Sequence, residues 1–318
     1  MNRRSFLGAG AAAAVPVAVH AQDLPVLRVA MPLQEGAKTV YYAIKAGLFR
    51  RAGIAVEPVA ISNGAAGLAA LTGGSVDVVF TSMFALFQGF ARGLPFQIVA
   101  PGQLYLSSAP TQALFVKRDS PIQRGADVNG KTVGIFTIKD INWAGTCNWI
   151  DVNGGDSRTV KFIELPPNTV TAALAEGRID VGTLAAPFVE QAAANPDLRI
   201  LAHYFDAVGK QFEIAVFIAN KPSTSTARDV LARFARAMHD STRYVNAHQG
   251  EMVSLIADFA HLEPAIVARG TRTVDPEYVD VRDIQPLLDL SVKYKLLERA
   301  FDPNDLIAPT ALRAQGRS

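Results

Sequence analysis

Lys139 and Asp140 are the adjacent opposite charges best placed to do chemistry. They stand just beyond the strand-like run Thr132–Phe136 and just ahead of the helix-like run Asn142–Val152. A helix start presents free N–H groups and the positive end of the helix dipole, so a lysine there can help hold an anion. The same lysine also reads as a solvated loop residue paired with a neighbouring acid. Asp140 has the side chain of a good helix N-cap. Small polar groups recur at the other strand ends: Gln34 and Glu35, Asn63 and Gly64, Thr81 and Ser82, and Thr137, with Ala186 and Pro187 at the corresponding place after a later strand. Such side chains bond a ligand or cap a helix with the same atoms. Trp143 either stacks on an aromatic ligand or packs in a core. These positions are the candidate ligand contacts.

No catalytic set accompanies them. The five histidines, His20, His203, His239, His248 and His261, form no His-x-x-x-His pair, and a Cys-x-x-Cys pair is impossible with Cys147 alone. A metal site is therefore not expected. The sequence has neither a Gly-x-Ser-x-Gly elbow nor a phosphate-binding Gly-x-x-x-x-Gly-Lys loop. No cofactor and no enzymatic activity are expected. His203 is read as a structural or surface histidine, and Cys147 as a buried small hydrophobe.

The elements that position the candidates alternate between strand and helix. Leu27–Met31, Ile54–Val59 and Val76–Phe80 read as strands, separated by helices at Tyr41–Arg51 and Ala65–Leu71. Thr132–Phe136, Val160–Leu165 and Ile179–Gly182 repeat the order, with helices at Asn142–Val152 and Val170–Ala175. This alternation predicts α/β architecture with mostly parallel sheets. Ala70–Val78 matches Ala173–Val181 residue by residue, with Gly74 opposite Gly177 and Asp77 opposite Asp180. Two copies of one β-α-β-α-β unit are expected. Each glycine can end a helix in the left-handed conformation. Each aspartate is read as a carboxylate that satisfies nearby backbone donors. In open α/β sheets, ligands bind beyond the carboxyl ends of the strands, so two such units in tandem make a cleft. Gln112–Lys117 is expected to lead into the second lobe and Phe212–Asn220 to lead out. The helical runs 227–247, 251–260 and 284–297 should pack on the first lobe. The expected division is 1–21 as an export signal, 25–111 and 218–318 as lobe 1, and 112–217 as lobe 2.

The start of the chain bears on compartment. Arg3-Arg4-Ser5-Phe6-Leu7 leads an apolar stretch to Val19, and Val19-His20-Ala21 offers a small-x-small cleavage site. This is the pattern of a secretory signal of the twin-arginine type. The stretch is short of the ~20 apolar residues that span a bilayer, and Gly8, Gly10 and Pro16 interrupt it. No cysteine lies near the cleavage site, so no lipid attachment is expected there. Without Arg3 and Arg4, the 31 Lys+Arg fall level with the 29 Asp+Glu. A neutral chain without basic runs gives no electrostatic support for nucleic-acid binding. A hydrophobic share of 49% and a charged share of 19% fit an ordinary globular protein.

Ala43-Ile44-Lys45-Ala46-Gly47-Leu48-Phe49, followed by Ala52-Gly53-Ile54, resembles the opening helix-strand unit of the solute-binding proteins of nitrate, sulfonate, taurine and thiamine-precursor importers. Ala70-Leu71, Gly74 and Val76-Asp77-Val78 resemble the next motif of that family. Asn153–Asp156, Val160–Phe162, Leu165-Pro166 and Ala185–Phe188 resemble its second lobe. The order and spacing of these motifs, more than any one of them, carry the likeness along nearly the whole chain after residue 21. The resemblance implies a periplasmic-binding-protein type II clamp with two hinge crossings. It further implies a monomer that binds a small molecule and delivers it to an ABC permease in the inner membrane. A periplasmic sensor partner is the second class open to it. A thiamine-pyrimidine synthase on the same fold is a third, but those enzymes carry a Cys-rich motif that this chain lacks. At Ala186 the chain departs from the Glu that relatives often carry, so the family's ligands do not carry over.

Overall fold

The computed structural model describes residues 24–32, 35–61, 64–186, 188–222 and 224–314. The expected export signal and the candidates Gln34, Asn63 and Pro187 lie outside the described residues. The first part of the chain forms β1 (Val26–Met31), α1 (Lys38–Lys45), α2 (Leu48–Arg51), β2 (Ala55–Ala60), α3 (Gly64–Thr72), β3 (Val78–Ser82), α4 (Met83–Ala91) and β4 (Phe96–Leu106). The second part forms β5 (Gln112–Lys117), β6 (Thr132–Ile135), α5 (Ile141–Val152), β7 (Lys161–Glu164), α6 (Pro167–Ala175), β8 (Val181–Ala185), α7 (Phe188–Ala193) and β9 (Leu198–Ala202). The chain then returns through β10 (Gln211–Asn220) to α8 (Ser225–Ala247), α9 (Met252–Ala260), α10 (Pro264–Arg269) and α11 (Val281–Lys293).

Two five-stranded sheets result, ordered β2-β1-β3-β10-β4 and β7-β6-β8-β5-β9. Each has three parallel strands, then one antiparallel strand, then an edge strand. The two orders superimpose, with β10 and β5 in the same place. The antiparallel strand of each sheet is therefore the one that follows a crossing between lobes. β10 belongs to the first sheet along its whole length, pairing with β4 from Gln211 to Asn220. The expected lobe division at 217/218 thus falls inside a strand of the first sheet. Phe212–Asn220 looks like a connector in sequence because it is extended, but it is a central strand buried on both faces.

Packing explains most of the elements. In β3, Val78, Val79 and Phe80 are all fully buried, as expected of a parallel strand covered on both faces. α8 buries Val230, Leu231, Phe234, Met238 and Val245 along one stripe, and Phe234 stacks on Phe49 of α2 with ring centroids 5.6 Å apart. The expected helix Tyr41–Arg51 divides at Ala46-Gly47 into α1 and α2. α11 packs on β10 as expected, but its end also reaches the second lobe: Lys293 Nζ donates to Asn148 Oδ1 at 2.7 Å, and Tyr294 Oη to Asp151 Oδ2 at 2.7 Å. α4 was not foreseen. Met83, Phe84, Leu86 and Phe87 are all buried, so its sequence has no polar stripe to mark a helix.

The internal repeat extends to individual atoms. Asp77 N donates to Arg28 O and Asp180 N to Thr132 O, both at 2.9 Å. Arg28 N donates to Asp77 Oδ2 and Thr132 N to Asp180 Oδ2, both at 2.8 Å. Gly74 and Gly177 end their helices at φ 70° and 72°, where a side chain would be strained. The reading of both aspartates as backbone clips is borne out. Asp77 also receives the Arg28 guanidinium at 3.0 Å. Burial raises the Asp77 pKa, but the Arg28 hydrogen bonds and charge outweigh it and leave the pKa lowered. Its contribution is therefore present above the unfolded carboxylate range and is lost as pH falls through the lowered value. Asp77→Ala and Asp180→Ala should each destabilise by about 1–3 kcal/mol, with Asp77→Ala the larger loss, in urea titrations at pH 7. Equal urea midpoints for the two variants and wild type would refute the clip assignment.

Candidate functional site

The carboxyl ends of β3 and β6 face each other, so α4 and α5 begin at nearly the same point. Ser82 is the N-cap of α4, and its Oγ accepts from Ala85 N at 3.3 Å. Asp140 occupies the N-cap position of α5 in an extended conformation, but its side chain makes no capping bond there. It crosses instead to the other lobe, where Ser82 Oγ donates to Asp140 Oδ1 at 2.9 Å. The neighbouring Lys139 has a left-handed backbone at φ 63°. For a residue with a side chain this costs about 1–2 kcal/mol. Gln88 Nε2 of α4 donates to its carbonyl oxygen at 3.3 Å, a second contact between the lobes. Burial pushes the Asp140 pKa up, against the bonds from Ile141 N and Ser82, which favour the carboxylate.

Between the lobes lies a cleft of about 570 Å³. The segment after β1 forms one wall, carrying Glu35 and Gly36. Glu35 is 1% exposed. Its Oε1 accepts from Thr273 N at 2.8 Å, and its Oε2 lies 3.4 Å from Arg272 Nη1. Beside it, Lys38 Nζ meets Asp275 Oδ2 at 2.6 Å with both side chains buried. Burial pushes the Asp275 pKa up to about 6, although Lys38 opposes the shift. The segment 272–275 therefore fixes the wall through two charge pairs that water does not screen.

The candidates Glu35, Gly64, Thr81, Ser82, Thr137, Lys139, Asp140 and Ala186 all border this one cleft. Gly64 begins α3, and a side chain there would sit 2.8 Å from Thr81 Oγ1. Met83 and the Pro166–Asn168 segment also follow strands, but neither borders the cleft: Met83 is in the core, and Pro167-Asn168 begin α6. Trp143 packs edge-on against Phe162 and Tyr294, away from the cleft. His203 Nδ1 lies 3.0 Å from the Gln112 carbonyl oxygen, a structural contact. Cys147 is buried, and burial pushes its thiol up to about 12.

Several lining residues escaped the sequence reading. Gln103 in β4 and Gln112 in β5 are buried polar residues in apolar strands. A lone amide in such a run was the available signal. Asn142 Oδ1 accepts from Tyr204 Oη at 2.6 Å, which leaves its amide nitrogen for other partners. Phe136 lines the cleft while 41% exposed, next to the strand-end segment Thr137 to Asp140 already expected there, whose Ile138 is 37% exposed. Breaking a buried ion pair from one side costs about 3–5 kcal/mol, so Lys38→Met should lower chemical stability by that amount. A loss under about 1 kcal/mol would show that Asp275 finds another partner. Asp140→Asn should act in the opposite direction. The folded carboxyl's pKa is raised, so wild type loses stability as pH rises from the unfolded value through the folded one, and the amide does not. Thermal melts across pH should give Asp140→Asn a midpoint at or above wild type near neutrality, with the gap closing in acid. A lower midpoint at pH 7 would contradict this.

Solved structures resemble the chain along most of its length. The periplasmic aliphatic sulphonate binding protein SsuA from Escherichia coli superimposes with a TM-score of 0.73 at 18% identity, covering 92% of this chain and 94% of that one. The periplasmic nitrate-binding protein NrtA from Synechocystis PCC 6803 gives 0.73 at 12% identity, covering 88% and 84%. A variant of DSZB in complex with biphenyl-2-sulfinic acid gives 0.66 at 16% identity, covering 90% and 96%. Identities this low establish the fold, the two-lobed type II periplasmic-binding architecture. No curated protein matches the sequence. The family model described as NMT1/THI5 like matches residues 34–252, more than half of the chain, and the chain belongs to that family.

Proposed function

We propose that this chain is the periplasmic solute-binding component of an ABC importer, which captures a small solute between its lobes and presents it to an inner-membrane permease. The observation that carries this reading is the cleft bordered by equivalent strand ends of two repeated lobes, with Ser82 and Asp140 meeting across it. Lobe 1 is 25–111 with the chain from β10 onward, and lobe 2 begins at Gln112 and ends ahead of Gln211. The ligand contacts are Glu35, Gly64, Thr81, Ser82, Thr137, Lys139, Asp140 and Ala186, with Gln34, Asn63 and Pro187 beside them in sequence. Closure exchanges ligand–water contacts for contacts with both lobes, and the two crossings absorb the dihedral change. The ligand shifts the open–closed balance only by its preference for the closed form.

Residues 1–21 serve as a twin-arginine export signal, and the chain from there on acts as a free monomer in the periplasm, without a lipid anchor. The one cysteine, Cys147, does not border the cleft: it is buried, with its thiol pushed to about 12, where the thiolate is scarce. The solute is drawn from the sulfonate, nitrate, pyrimidine or aromatic-acid classes. Thermal unfolding of the exported form against these classes tests the reading. A ligand at a hundred times its dissociation constant stabilises by about 2.7 kcal/mol. For a chain of this size that is a rise of about 5–10 °C. Absence of any shift, together with turnover of a candidate by the purified protein, would replace binding with catalysis.

A further inference from the structure

We infer that the cleft is built for an organic solute that offers N–H donors on an apolar body, neutral or cationic, and that it disfavours oxyanions. The inference rests on the binding reading above; of the classes named there it keeps the pyrimidines and sets aside sulfonates, nitrate and aromatic acids.

The first support is where the negative charge already lies. The starts of α4 and α5, helices of 9 and 12 residues, meet at the cleft and would suit an anion. The protein supplies that anion itself. Asp140 stands at the start of α5, and Ser82 at the start of α4 donates to it at 2.9 Å. An incoming sulfonate or nitrate would meet a carboxylate where it needs donors.

The second support is the acceptor capacity buried at the cleft. Among the described residues, Glu35 Oε2 accepts no hydrogen bond and has only the charge of Arg272, 3.4 Å away, as its partner, and the Thr81 hydroxyl, able to accept or donate, has no hydrogen bond, on residues 1% and 3% exposed. A buried acceptor in this state is costly, and a ligand N–H relieves the cost. The available cations do not reverse this balance. Arg272 is already matched to Glu35 at 3.4 Å. Lys139 and Arg92 line the cleft on its exposed side, where solvent and salt screen them more than the buried acids.

The third support is apolar. Phe136 and Ile138 stand exposed on the lip of lobe 2, with Leu68, Phe80 and Ile214 of lobe 1 facing the same space. Exposed side chains the size of Phe136 and Ile138 favour a ligand with a hydrocarbon or aromatic body, which an inorganic ion lacks.

A matched set with one ring and different heads reads the head directly: benzamidine, benzamide, benzoate and benzenesulfonate, with nitrate alongside, titrated calorimetrically into the full chain after export processing. Benzamidine should bind at least about tenfold tighter than benzoate or benzenesulfonate. Removing the acceptor charge with Asp140→Asn should weaken benzamidine by about ten- to a hundredfold, the range of a hydrogen bond to a charged group. Glu35→Gln, checked for folding by its thermal midpoint, should weaken it as well. Tighter binding of benzoate, benzenesulfonate or nitrate would overturn the ligand class and leave the binding reading intact. Failure of benzamidine to bind at millimolar concentration, or an unchanged affinity in Asp140→Asn, overturns it too. Turnover of a ring compound without measurable affinity would count against the binding reading instead.

Discussion

A carboxylate placed between two helix starts constrains everything around it. Asp140 is drawn toward the N-terminal end of its own helix and toward Ser82 on the opposite lobe, while burial opposes its charge. These forces do not cancel: the pKa rises, so the folded chain carries this group at a cost. The cost is increased by Lys139, whose left-handed backbone at φ 63° turns the chain into the cleft just before it. Both features would be relaxed by ordinary choices, an asparagine at 140 or a glycine at 139. Two local rules are thus broken together at a strand end, inside a cleft, where neither serves stability.

The opposite wall is organised by the same physics with a different balance. Lys38 and Asp275 are both buried and meet at 2.6 Å, and Glu35 sits beside them against Thr273 and Arg272. These partners come from opposite ends of the chain, so the wall forms only when the segment after α10 docks on the segment after β1. α7 of the second lobe adds Glu190. Burial raises the pKa of its carboxyl, Glu35 raises it further and Arg272 opposes. The network therefore reaches across the lobes on the side away from Ser82 and Asp140. Relative movement of the lobes would have to rearrange charges that are poorly solvated, which favours discrete arrangements over a continuum.

The fold was legible in the sequence wherever a local rule repeats. Gly74 with Asp77, and Gly177 with Asp180, could be paired from sequence because each pair does one backbone job in each lobe, and the hydrogen bonds are duplicated atom for atom. α4 and the central position of β10 were hidden for the opposite reason: both are buried nearly all round, and full burial erases the periodicity that marks an amphipathic element. The cleft followed a similar division. Residues directly after strands, such as Thr81, Ser82 and Asp140, could be located because topology sends strand ends to the ligand side. Gln103 and Gln112 could not, because they face the cleft from within strands, where only the sheet's position decides which face is open. The ion pairs behind Glu35 were out of reach of local reading, since Lys38 and Asp275 are joined only by the tertiary fold.

Membership in a family with a two-lobed fold does not transfer a ligand, and the residues at the strand ends explain why. The lobes are held by the buried strands and by Asp77, Asp180 and the glycines near them, Gly74 and Gly177, and these four residues do not border the cleft. Part of its lining, Phe136 to Asp140, sits in a short loop between strand and helix, where a substitution changes the lining without disturbing the sheets. Asp140, an acid at a helix start, illustrates this freedom. The charge of the cleft is set by a few side chains acting on helix ends that the scaffold supplies. In this chain Asp140 places a carboxyl group at the start of α5, against Ser82 at the start of α4.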